Sequence, residues 1–174
     1  MIFVPFYFIF LVRLFSIFIS TKNEKALKRK GAREYGRLNS LVLVIFHFIF
    51  YGACLTEGFS KGAFFTDTIS MSGLIVYTLS ILVLYYVIYQ IRHVWTVKLI
   101  IAPKDFHVIN TSFLFKYIRH PNYYLNIIPE LISICLIFHA WYTLFIGLPV
   151  YLVPLVIRIV QEERLMKTIF NDYR

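Results

Sequence analysis

The chain of 174 residues is 59% hydrophobic and 19% aromatic, with a mean hydropathy of +0.71. Soluble domains are nearer about 45–50% apolar, so a soluble fold is excluded, and the length leaves no room for a separate soluble catalytic domain. The net charge of +9 does not point to nucleic acid, because the basic residues collect between apolar segments.

Five apolar segments predict an all-α integral membrane protein of about five transmembrane helices, since a helix needs about 20 residues to cross the hydrocarbon. They run from about Met1 to Ser20, Ser40 to Thr56, Met71 to Ile91, Tyr123 to Phe138 and Trp141 to Ile157. The first has no basic n-region and no small-residue cleavage site, and is expected to be a retained helix. The last two are short and closely spaced, which predicts a tight helical hairpin. With five spans, the basic stretches around Lys22 to Arg37, Arg92 to Arg119 and Arg158 to Arg174 fall on one side, and Lys61 on the other. The positive-inside rule makes the basic side cytoplasmic. The basic ends of the helices are therefore expected at the cytoplasmic face.

The chain reads as a single membrane-embedded domain, residues 1–174. Residues 1–91 hold the first three helices, and 92–174 the last two with their connections. Two charges lie inside apolar segments, where they are costly and usually face a partner, though Arg13 could instead snorkel toward the cytoplasmic end and Glu130 could cap a backbone group freed at Pro129. Arg13 sits seven residues before the end of the first segment, and Glu130 about seven into the fourth. Cys54 and Cys135 lack metal-ligand spacing and read as packing residues, and His47, His93 and His139 as structural. Pro129, Pro149 and Pro154 are predicted to kink their helices.

Polar groups concentrate in two places. One stretch runs His107-Val108-Ile109-Asn110 and on to Arg119-His120-Pro121-Asn122-Tyr123; the other reads Arg158-Ile159-Val160-Gln161-Glu162-Glu163. A hairpin of the last two helices brings the ends carrying them together at the membrane surface. Arg158 and Glu162 stand i, i+4 on one helix face. A local surface salt bridge would account for that spacing alone, but not for a cluster of His, Arg and Tyr at the same depth.

These residues resemble the isoprenylcysteine carboxyl methyltransferase family. The likeness rests on Arg-His-Pro-Asn-Tyr at 119–123, the helix hairpin and the Glu pair at 162–163. It extends to the stretch from His107, and to Gly31-Ala32-Arg33-Glu34-Tyr35-Gly36, which looks like the short prokaryotic members. The resemblance implies S-adenosyl-L-methionine as cofactor, makes 92–174 the cofactor-binding catalytic region, and points to a prokaryotic inner membrane with the site facing the cytoplasm. It places His107, Val108, Ile109, Asn110, Phe115, His120, Tyr123 and Glu162 at the cofactor and Arg158 at the substrate; by charge, Arg119 or backbone N–H groups could meet the cofactor's carboxylate. Phe115 stands where the family has a tyrosine, losing one hydroxyl, and Phe113 where a glycine is common. Glu130 is a candidate catalytic residue as an acid inside the membrane, and either it or His120 could serve as base for a phenol or enol acceptor.

The expected reaction is methyl transfer to an oxygen, carboxylate or phenol/enol, of a lipophilic small-molecule or prenylated acceptor arriving through the bilayer. Membrane lipids are the surroundings and no nucleic acid is involved. A phospholipid N-methyltransferase is the alternative enzyme, and an NADPH-dependent sterol reductase ranks below it. A non-catalytic membrane scaffold is the alternative of a different class, and it has no need of clustered Arg158, Glu162, His120 and Tyr123.

Overall fold

The computed structural model describes residues 2–62, 66–101 and 117–169. Three long helices come first: α1 (Phe3–Arg29), α2 (Arg37–Ser60) and α3 (Thr68–Gln90). Then follow α4 (Ile128–Phe138) and α5 (Leu148–Ile169), each begun by a wide π-helical segment, Asn122–Ile127 and Thr143–Gly147. Helices α1, α2, α3 and the stretch Thr143–Thr168 are long and apolar enough to cross a bilayer, while Asn122–Phe138 is apolar but shorter. The chain is an all-α integral membrane protein. Large apolar side chains such as Phe8 and Phe145 are exposed on the bundle surface, as a lipid-facing wall requires.

Two helices outrun their apolar segments. α1 continues past Ser20 to Arg29, so Lys22, Lys25 and Lys28 lie on a helix rather than in a loop. The added turns are tied down by Glu24, which accepts from Lys28 at 2.6 Å and Lys98 at 2.8 Å, and by Asn23, which donates to the carbonyls of Arg92 and Trp95. α5 likewise runs past Ile157 to Ile169. Hydropathy marks where lipid ends, not where backbone hydrogen bonding ends. A strand pair not expected from the sequence joins the same region: β1 (Arg33–Tyr35) runs antiparallel to β2 (Leu99–Ile101), with Arg33 opposite Ile101.

These contacts define one end of the bundle. The other is defined by Glu57, which accepts from the backbone N–H groups of Tyr142 and Thr143 and so caps the entry to α5, and by Lys61, which reaches the His139 carbonyl. Asp67 caps α3 by accepting from the Ser70 N–H at 2.8 Å, and that bond holds its carboxyl below the ordinary range. Lys61 therefore lies at the opposite end from the β1–β2 pair.

The prolines explain the two π segments. Pro129 and Pro149 each follow a π segment by two positions. A proline ring clashes with the carbonyl of the preceding turn, and a widened turn makes room for it without ending the helix. Pro154 stays inside α5, and its carbonyl accepts from Asn39 of α2 at 3.0 Å.

The tightest packing is between α3 and α4. A Cβ on Gly73 would stand 2.9 Å from the Ile137 nitrogen, the Leu136 Cβ and the Ser133 carbonyl. Small residues let helix backbones approach this closely where lipid supplies no hydrophobic drive. Cys54 and Cys135 face each other, fully buried, at 3.5 Å. Phe6, Tyr77 and Phe138 form an aromatic core at the junction of α1, α3 and α4.

Candidate functional site

Four of the residues singled out from the sequence meet at the β1–β2 end of the bundle. Tyr123, in the first turn after Pro121, donates its hydroxyl to Glu162 Oε2 at 2.5 Å. Arg158 Nε donates to the same hydroxyl at 3.3 Å and stands 4.0 Å from the Glu162 carboxylate. His120 lies over the Tyr123 ring, centroids 5.7 Å apart, and its Nδ1 is 3.4 Å from Glu162 Oε1. That last approach lacks hydrogen-bond alignment. Both His120 ring nitrogens are buried without a hydrogen-bond partner among the described residues, as is Gln161 Oε1.

Arg158 is almost wholly buried, at 3% exposure. Its terminal nitrogens donate to Ser40 Oγ at 2.6 Å and to the Val97 carbonyl at 3.1 Å. A guanidinium has five N–H groups in a fixed fork, so one remains on each terminal nitrogen. The neighbouring helix is seated closely: Gly36, in the left-handed region at φ +55°, lies against Gln161, and a Cβ there would fall 2.5 Å from Gln161 Oε1. The positive φ favours glycine there, while the Gln161 amide, the end of a flexible side chain, can move aside.

Among the described residues, two other expected site residues stand apart from this cluster. Arg119 is more than half exposed and pairs with Glu163 at 3.1 Å, which also meets Lys167. His107, Val108, Ile109, Asn110 and Phe115 lie outside the described residues. Glu130 stands about two helical turns deeper than Tyr123, roughly 10 Å at about 1.5 Å per residue. It is fully buried, accepting from Arg13 Nε at 2.7 Å and from the Tyr51 hydroxyl at 2.5 Å, with His47 Nε2 at 3.5 Å. The two intramembrane charges that the sequence shows separately are thus one ion pair between α1 and α4.

Beside the cluster lies a cavity of about 120 Å³. Arg158, Tyr123 and Asn122 line one part of it, and Arg13, His47 and Tyr151 another. Phe48 on α2 and Ile17 on α1 also line it, and they are 55% and 39% exposed. The cavity wall therefore reaches the lipid-facing surface between α1 and α2.

A family model described as the isoprenylcysteine carboxyl methyltransferase (ICMT) family matches residues 73–168. The chain belongs to the isoprenylcysteine carboxyl methyltransferase family. An uncharacterized protein of Haemophilus influenzae is 49% identical over 159 residues, covering 91% of each chain. No solved structure matches. Membership makes the chain an integral membrane protein of a methyltransferase family. The matched stretch holds His120, Tyr123, Arg158 and Glu162. Ser40, Arg13, His47 and Tyr51 lie before it. No spacing in the sequence pointed to Ser40 or to the Val97 carbonyl. Arg13 and Glu130 do carry a signal, opposite charges at matching depth on two helices.

Proposed function

We propose that the protein transfers a methyl group from S-adenosyl-L-methionine to an oxygen of a lipophilic acceptor that reaches the site from the bilayer. The observation that carries this reading is the adjacency of two features. The Tyr123–Glu162–His120 cluster sits at the β1–β2 end of the bundle, and the cavity lined by Arg158 lies beside it with the exposed apolar side chains of Phe48 and Ile17 in its wall. The unpartnered His120 nitrogens and Gln161 Oε1 suit a polar ligand bearing an ammonium, a carboxylate and ring nitrogens.

S-adenosyl-L-methionine, when bound, supplies a methyl group activated by its sulfonium charge. Glu162 would hold the ammonium, since a carboxylate is the natural partner of a buried cation. Tyr123 fixes the carboxylate by its 2.5 Å hydrogen bond, and His120 offers a ring nitrogen to the same ligand. Arg158, pinned by Ser40 and the Val97 carbonyl, presents its remaining N–H groups to the acceptor oxygen. A guanidinium suits an anionic oxygen because it is always charged and donates as a planar fork. Methyl transfer from a cation to an anion consumes charge, so positioning in a site screened from water favours it. A carboxylate acceptor is ionised near neutral pH and needs no base. Residues of the basic end make the cytoplasmic side of a cell membrane the natural location.

Calorimetry of the purified protein with S-adenosylhomocysteine tests this reading. Saturable binding is expected, together with transfer of labelled methyl from S-adenosyl-L-methionine into a lipid extract. Absence of binding to folded protein overturns the proposal.

A further inference from the structure

The cavity beside Arg158 has a second polar pole. Tyr151 precedes Arg158 by two turns of α5, roughly 10 Å at about 1.5 Å per residue, and both line the cavity. Between the two poles the wall is apolar, formed by Leu155, Val44 and Ile127. At the deeper pole stands Arg13. Its Nε donates to Glu130 at 2.7 Å and one terminal nitrogen to Ser16 Oγ at 2.8 Å, while Ser16 Oγ donates back to the Arg13 carbonyl at 2.7 Å. The guanidinium is therefore locked in place. Its other terminal nitrogen has no hydrogen bond among the described residues. On the same wall Asn126, fully buried, gives its amide to Asn122 and keeps Oδ1 without a partner.

A charged donor held at one end of an apolar chamber, partly open to it, is met by water until a ligand takes the water's place, and a ligand without a polar group there forfeits that contact. A plain hydrocarbon tail running from Arg158 into the chamber would leave Arg13 unmet. Building on the methyltransferase reading, we infer that the acceptor is a bipolar lipid. Its methylated oxygen lies at Arg158, and a second oxygen, a hydroxyl or a carbonyl, lies roughly 10 Å further along the molecule and accepts from Arg13. Arg13 is then a specificity residue, and Glu130 and Ser16 are the groups that aim it. Discrimination follows because a site built to hydrogen-bond an oxygen disfavours the analogue that lacks it.

The test uses two probes, octadecanoate and octadecanoate carrying a mid-chain hydroxyl, bound to the purified protein with S-adenosylhomocysteine saturating. The hydroxylated probe is expected to bind about fivefold tighter, the size of one hydrogen bond. The paired variant Arg13→Met with Glu130→Leu removes both charges together. It should keep its affinity for S-adenosylhomocysteine and lose the preference. Arg13→Lys keeps the ion pair but not the fork, and should reduce the preference even where the paired variant fails to fold. Equal binding of the two probes by the unaltered protein, or a preference that survives both variants, overturns the inference. Failure to bind S-adenosylhomocysteine at all overturns instead the methyltransferase reading on which it rests.

Discussion

The hydroxyl of Tyr123 meets the carboxylate of Glu162 at 2.5 Å, joining the start of the fourth helix to the end of the fifth. The bond crosses the open side of the α4–α5 hairpin, and Arg158 shares the same hydroxyl. Glu162→Ala is expected to weaken S-adenosylhomocysteine binding at least about tenfold, the order of losing a charge-assisted contact of about 1.5–3 kcal/mol. Calorimetry reads it directly. Unchanged affinity in a folded variant removes Glu162 from the cofactor site.

Arg158→Lys keeps the charge but not the fork that reaches Ser40 and Val97. Cofactor affinity should hold while turnover of the true acceptor falls, and the loss should persist at saturating cofactor. Should Arg158→Ala weaken cofactor binding as much as Glu162→Ala, the arginine merely balances the acid.

Removing one member of the Arg13–Glu130 pair leaves a buried charge without its partner. Arg13→Met or Glu130→Leu alone should destabilise the folded protein by about 3–5 kcal/mol, and the double change by clearly less. Thermal unfolding in detergent of all four proteins gives the cycle. Additive losses would mean that the pair is not coupled in the bundle.

Gly73 allows α3 and α4 to touch, with backbone and Cβ atoms 2.9 Å from where its own Cβ would stand. Gly73→Val must push the helices apart and is expected to cost at least about 1–3 kcal/mol. Gly52, with open space around it, is the control: Gly52→Ala should leave the melting temperature nearly unchanged.

Cysteine labelling from either side of the membrane checks orientation. Lys28→Cys and Lys167→Cys should label from the cytoplasmic side, and Lys61→Cys from the other. Any other partition contradicts the five-crossing arrangement.

Much of this was legible from the chain itself. The apolar segments and the clustering of basic residues follow from the cost of placing polar groups in lipid, a cost each residue meets regardless of its neighbours. The i, i+4 spacing of Arg158 and Glu162 and the hairpin after Tyr123 likewise placed the polar cluster at one end. The tertiary structure alone decided who pairs with whom. Arg13 and Glu130 are 117 positions apart, and Arg158 and Ser40 are 118. Local periodicity carries no information about such partners, because helix packing sets them. The end of α1 belongs to the same class: Glu24, bonded to Lys98 well past the helix end, holds turns of helix that hydropathy alone does not mark. Lipid thus wrote the spans into the sequence one residue at a time, while the cavity and its two polar poles exist only once five helices have packed.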